Sequence, residues 1–159
     1  MAVTKKAATP KEQKENPAEK RFEFFDHTAD AKFKAYGKTI EEAFVNAARA
    51  MYTIILDQNS LKSAEVKEIH VEGHDEKALL YNFLEELIFL LDADFFAVKD
   101  VKKIKISKID REYVLEAEFH GQALTDDIET EKHVKAITYN EMEITKTKTG
   151  VTVQVVLDL

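Results

Sequence analysis

The amino-acid sequence predicts an α+β fold, in which two long helices pack on a mixed, largely antiparallel β-sheet within a single domain. Three observations support this prediction. A chain of 159 residues, of which 45% are hydrophobic, has the size and composition of one globular domain. Two segments repeat apolar side chains at helical spacing. Most of the second half consists of strand-like segments that pair as hairpins.

The first twenty residues differ in composition from the rest. Both prolines lie within the first 17 residues, whereas all ten phenylalanines follow them. Residues 1–20 contain five lysines and three glutamates, a net charge of +2. Because the whole chain has a net charge of −7, residues 21–159 have a net charge of −9. We therefore expect residues 1–20 to be a disordered basic tail and residues 21–159 to be the folded domain.

Two helices are predicted from their capping residues and their apolar spacing. Thr39 begins the first helix, because Glu42 three residues later completes a capping box, and the apolar positions continue to Ile55. Asp75 caps the second helix, whose apolar residues cover a wide arc as far as Leu91. The second helix should therefore be the most deeply buried element.

Seven strands are predicted from alternating or β-branched segments between turn residues. They span 22–25, 31–37, 66–73, 101–109, 113–120, 142–148 and 151–159. The segment 122–139 is ambiguous, since Val134–Tyr139 fits either a strand or one helical turn. Lys135 lies there among apolar neighbours, so its ammonium group requires a partner or a functional surface.

Composition excludes several classes of site. The chain has no cysteine, which rules out disulfides, zinc–thiolate sites, iron–sulfur clusters and cysteine nucleophiles. No apolar run approaches the about 18 residues of a membrane span, and the N-terminus lacks the apolar block of a signal peptide. We expect a cytoplasmic protein with no membrane segment.

The net charge of the domain and its arginine content indicate whether it binds nucleic acid directly. The domain is acidic and the chain has only three arginines against twenty lysines, whereas nucleic-acid-binding domains present a basic, often arginine-rich face. We expect no strong direct binding of nucleic acid. The charge does not exclude a protein partner that itself binds RNA.

Two acidic positions are candidates for chemistry. The corner Asp26-His27-Thr28-Ala29-Asp30 places two carboxylates and an imidazole in five residues, either to cap the turn or to hold a metal or move a proton. The last strand ends in Asp158-Leu159, where a terminal aspartate is ordinarily solvated. If this strand lies beside the first ones, Asp30, Asp158 and the Leu159 backbone oxygens converge. Such all-oxygen donors suit Ca²⁺ or Mg²⁺.

Four motifs, in order along the chain, resemble the archease family. They are Phe25–Asp30, the segment from Gly37 to Ala48, Val134–Tyr139 and the closing Val156–Leu159. The resemblance covers residues 22–159, everything but the tail. Gln122 is a departure, because family members often have glutamate after the preceding glycine.

The resemblance implies an activator, not an enzyme. Its partner would be the tRNA-splicing RNA ligase RtcB, whose guanylylation and multiple turnover it would promote. It also implies a bound divalent cation, typically calcium, on Asp30, Asp158 and the main chain of Leu159. Lys135 matches a residue that the family needs for activation, and we group it with Asp26 and His27 as an activation surface.

Two alternatives from other classes stay open. The first is a metal-dependent hydrolase that uses Asp26, His27 and Asp30. The second is a chaperone-like binding module, against which the absence of a methionine-rich or loop-rich adaptable surface weighs.

Overall fold

The structure is a computed structural model that describes residues 20–27 and 29–159; the predicted tail, up to residue 19, and Thr28 lie outside the described residues. In chain order the elements are β1 (Phe22–Phe25), β2 (Asp30–Gly37), α1 (Ile40–Ile55), β3 (Glu65–Gly73), α2 (Glu76–Asp94), β4 (Phe96–Ile109), β5 (Glu112–Ala123), β6 (Ala136–Thr147) and β7 (Gly150–Asp158). The predicted class, two long helices on largely antiparallel sheet in one domain, is confirmed.

The strands form two sheets. The four-stranded sheet has the order β1-β2-β7-β6, and the three-stranded sheet has the order β3-β5-β4. Every pairing between these strands is antiparallel. β2 and β7 are the central strands of the larger sheet. The last strand, β7, therefore lies inside the sheet, next to the strand that follows the corner motif.

Both predicted helix caps are present. The Thr39 hydroxyl accepts a hydrogen bond from the Glu42 amide at 3.1 Å, and the Glu42 carboxylate accepts one from the Lys38 amide at 2.5 Å. Asp75 Oδ1 accepts from the Ala78 amide at 2.7 Å. These contacts satisfy amides that the first helical turn leaves without partners, which explains where each helix begins.

The helices and both sheets share one core. Phe83 of α2 stacks on Phe44 of α1, with ring centroids 5.8 Å apart, and meets Phe119 of β5 edge to face at 6.0 Å. All three side chains are fully buried. Burial of aromatic rings contributes strongly to the free energy of a small core. Because α2 also packs against β6 of the larger sheet and β3 of the smaller one, it joins the two sheets.

Three segments differ from the predicted elements. β4 begins at Phe96 instead of residue 101, because Phe96, Ala97 and Val98 are all buried and show no polar–apolar alternation. The ambiguous segment is a strand from Ala136 onward, continuous with the strand predicted from residue 142. β6 accommodates this length through a bulge: residues 139–142 stand opposite Val155 alone.

No helix in the described part of the chain is long and apolar enough to cross a membrane.

Candidate functional site

Asp30 and Asp158 are paired directly across two central strands. β2 begins at Asp30, β7 ends at Asp158, and the two residues are register partners in the antiparallel ladder. Directly opposed residues project to the same face, with Cβ atoms about 4.5–5.5 Å apart. The neighbours Ala31 and Leu157 pair next in the register, and Leu157 is fully buried, so the carboxylates lie on the outer face.

Leu159, the third residue of the predicted trio, directly follows Asp158. Asp158 is exposed, and its carbonyl oxygen accepts a hydrogen bond from the Lys135 amide at 2.8 Å. Leu159, one residue past β7, is half-buried and packs at the edge of the core. The backbone immediately before β6 therefore anchors Asp158 at the end of β7. The structure thus brings together Asp30, Asp158 and Leu159.

The donor set fits a hard cation with an open coordination sphere. In the described residues no lysine or arginine forms a salt bridge with Asp30 or Asp158, so their charges are uncompensated apart from a nearby imidazole. Residues 20–27 and 29–159 also contain no cluster of three or more histidine, aspartate and glutamate side chains that could enclose a metal. Calcium takes six to eight oxygens. Main-chain oxygens and solvent or partner groups would therefore have to complete the site.

His27 bridges this site to a residue far along the chain. Its Nδ1 lies 3.4 Å from Asp30 Oδ2, and its Nε2 lies 2.9 Å from Glu141 Oε2. The other Glu141 oxygen accepts a hydrogen bond from Lys32 Nζ at 2.9 Å. These contacts with Lys32 and then with His27 lower the pKa of Glu141, which favours its charged form.

Glu141 was absent from the residues predicted for the site. It lies in the β6 bulge with a φ of 56°, and its carbonyl accepts a hydrogen bond from Gln154 Nε2 at 2.7 Å. One signal in the sequence could have revealed the bulge. Ile137 and Met142 are apolar residues of opposite parity, whereas a strand with one covered face keeps its apolar residues at one parity.

The side chains of Lys135 and Asp26, the other predicted site residues, make no described contact with the carboxylates of Asp30 and Asp158. Lys135 is exposed and lines a surface groove of about 680 Å³ with Phe89, Asp92 and further residues of α2 and β3. Asp26 is exposed at the end of β1, and no described side chain forms a salt bridge with it. Of the corner motif, the structure therefore unites His27 with Asp30 but not with Asp26.

The model of the archease protein family matches residues 22–159 of this chain. Protein archease of Methanosarcina barkeri is 39% identical over 141 residues, which cover 88% of this chain and 97% of that protein. Protein archease of Pyrococcus abyssi is 41% identical over 132 residues, covering 82% and 92%.

Solved structures agree with this fold. The solution structure of Methanobacterium thermoautotrophicum protein 1598 has a TM-score of 0.76 at 38% identity and covers 87% of this chain and 99% of that one. The crystal structure of an archease from Thermotoga maritima, named there a possible chaperone, has a TM-score of 0.56 at 17% identity and covers 85% and 94%. The second likeness concerns the fold alone.

Proposed function

Because the chain belongs to the archease protein family, we propose that it activates the tRNA-splicing RNA ligase RtcB in the cytoplasm. In this role it promotes guanylylation of the ligase and sustains repeated turnover during RNA ligation. It catalyses no reaction of its own. The observation that carries the site of this function is the facing pair of carboxylates, Asp30 and Asp158, beside the anchored chain terminus.

A divalent cation belongs to this proposal, and we take it to be calcium because the family resemblance implies calcium and oxygen donors suit it. Asp30, Asp158 and the main chain of Leu159 would hold it. Like charges directly opposed on a sheet are unfavourable without a counter-charge. Asp158 is exposed and Asp30 is half-buried, which leaves room for further oxygen ligands. When bound, the ion supplies a fixed positive charge at the surface of the domain.

Lys135 is the second working group. Its ammonium is exposed and forms no salt bridge with any described carboxylate, although its amide anchors Asp158. A lysine held in this way can contact a phosphate or a carboxylate of a partner. We assign it to the contact with the ligase or its nucleotide, and the carboxylate pair to the cation.

Charge supports a protein partner over direct RNA binding. The domain carries a net charge of −9 without the tail, from −7 for the chain and +2 for residues 1–20. A ligase that binds RNA needs a basic surface to neutralise phosphates, and complementary charge favours docking. Activation then requires that this protein bind the guanylylation-competent state of the ligase more tightly than the spent state.

Three assays separate this function from its alternatives. Purified protein alone should neither join nor cleave RNA, and it should raise the guanylylated fraction of the ligase when GTP is supplied. Chelator-sensitive hydrolysis by the protein alone would favour the hydrolase that uses Asp26, His27 and Asp30. Protection of several unrelated unfolded proteins, without an effect on the ligase, would favour a chaperone-like binding module.

A further inference from the structure

We propose that Glu141 is a positioning residue for the cation site, which acts by holding His27 against Asp30. This inference rests on the cation site of the proposed function. It assigns a role to a side chain that lies 114 residues from His27 in the sequence and makes no direct contact with the two carboxylates in the described contacts.

The first support is the chain of contacts. A carboxylate is only an acceptor, so Nε2 of His27 donates the 2.9 Å hydrogen bond to Glu141. Lys32 fixes the second Glu141 oxygen at the same distance. With both oxygens engaged, the carboxylate cannot rotate without losing a charged contact. Glu141 therefore holds the imidazole at Nε2, and the Nδ1 edge of the ring faces Asp30.

The second support is the environment of the other imidazole nitrogen. Nδ1 of His27 is buried and forms no hydrogen bond with any group of residues 20–27 and 29–159, although Asp30 Oδ2 lies 3.4 Å away. A buried polar atom without a partner is costly, so the ring occupies this position because other contacts hold it there. In the described part of the chain, the hydrogen bond that holds the ring in this position is the one from His27 Nε2 to Glu141.

The third support is the backbone. Ala29, immediately before Asp30, and Glu141 both adopt the left-handed conformation, with φ of 59° and 56°. Residues with a Cβ atom adopt it at a cost, and such strain concentrates at functional sites. The β6 bulge directs Glu141 back across the sheet towards β2. Strain thus lies at both ends of the contact chain from Asp30 to Glu141.

The test is calorimetric titration of the full chain with calcium. Removal of a group that orients a metal ligand typically weakens metal affinity about 10–100-fold. We expect a loss of about tenfold for Glu141→Ala, and a smaller loss for Glu141→Gln, which keeps one acceptor. Glu143→Ala is the matched control, because Glu143 is an exposed carboxylate on the same strand outside the bulge. It should bind calcium like the wild type.

A second readout needs no metal. Long-range proton–nitrogen NMR spectra of the metal-free protein report which imidazole nitrogen of His27 carries the proton. Glu141→Ala should alter the His27 spectrum because Nε2 loses its acceptor, whereas Glu143→Ala should leave the spectrum like that of the wild type. An unchanged His27 spectrum in Glu141→Ala would overturn the inference.

The outcomes also separate this inference from the cation site itself. If Asp30→Ala abolishes calcium binding while Glu141→Ala binds like the wild type, the positioning role is wrong and the cation site stands. If Asp30→Ala binds calcium as tightly as the wild type, the cation site is misplaced and the role of Glu141 fails with it.

Discussion

Asp30 and Asp158 face each other across β2 and β7 as direct register partners, with no lysine or arginine of the described residues paired to either. Like charges directly opposite on a sheet destabilise it. The arrangement occurs at the corner motif and at the chain terminus, two places that lie more than a hundred residues apart in the sequence. This pairing underlies the predictions on calcium.

The effect of Asp158→Asn on the free energy of unfolding, relative to the wild type, should have opposite signs in chelator and in calcium. In chelator the substitution removes a like-charge contact, so the free energy of unfolding should stay equal or rise by up to about 1 kcal/mol. In calcium at about 100 times the dissociation constant, the wild type should gain about 2.7 kcal/mol, whereas the variant should gain little. Urea unfolding in both solutions measures this.

Asp126→Asn is the control for that experiment, because Asp126 is an exposed acidic residue in the loop between β5 and β6. It should gain as much from calcium as the wild type does. An equal gain by Asp158→Asn would show that calcium binds elsewhere.

Ala29→Gly should stabilise the protein. The left-handed conformation of Ala29, with φ of 59°, costs a residue with a Cβ atom about 1–2 kcal/mol. The greater freedom of glycine in the unfolded chain offsets about 0.5–1 kcal/mol of the gain. We expect a net rise of about 0.5 kcal/mol in the free energy of unfolding. Ala31→Gly, within strand β2, should instead lower it.

Tyr52→Phe should destabilise the core. The fully buried Tyr52 hydroxyl accepts a hydrogen bond from the Val98 amide at 3.1 Å, and the substitution would leave that buried amide unpaired. The expected cost is about 1–3 kcal/mol in denaturant unfolding. Tyr139→Phe, at an exposed position, should change stability little. If Tyr52→Phe lost less free energy of unfolding than Tyr139→Phe, another group would have to satisfy the Val98 amide.

The same residue predicts a dependence on alkaline pH. Burial raises the pKa of Tyr52 to about 12, whereas a tyrosine in the unfolded chain titrates near 10. The folded state therefore favours the protonated hydroxyl, and this contribution is complete below pH 10 and is lost as the pH rises through about 12. Tyr52→Phe should lose less stability than the wild type over that interval, as measured by unfolding at fixed pH values.

Lys135→Ala should separate activation from calcium binding. Lys135 is exposed and lies beside the terminus through its amide, which the substitution retains. Calorimetry should give unchanged calcium affinity and circular dichroism an unchanged fold, whereas guanylylation of the ligase should fall to the level without activator. Normal activation by this variant would remove Lys135 from the working surface.

Local signals predicted much of the fold. Thr39 and Asp75 identified both helix starts, because a cap depends on residues three positions apart. The strands around the site were also found, since Ala31 to Gly37 alternates and the last strand ends at Asp158. The convergence of Asp30 with Asp158 needed only the adjacency of those two strands.

Features that depend on tertiary contacts were not predicted. The start of β4 at Phe96 was missed because a strand covered on both faces shows no alternation. Glu141 was missed because its role depends on a bulge without glycine and on a contact with His27 across 114 residues. The start of β4 leaves no alternating pattern, and the contact between Glu141 and His27 leaves no pattern within a short window of sequence.

The most direct test of the account is the initial rate of ligase guanylylation, measured with radiolabelled GTP, purified ligase and this protein in calcium. The wild-type protein should raise the rate above that of the ligase alone. Asp30→Ala and Asp158→Ala, with native circular dichroism spectra, should leave it near the rate of the ligase alone, whereas Asp126→Asn should activate fully. A rate that is the same with and without the wild-type protein would contradict the proposed function.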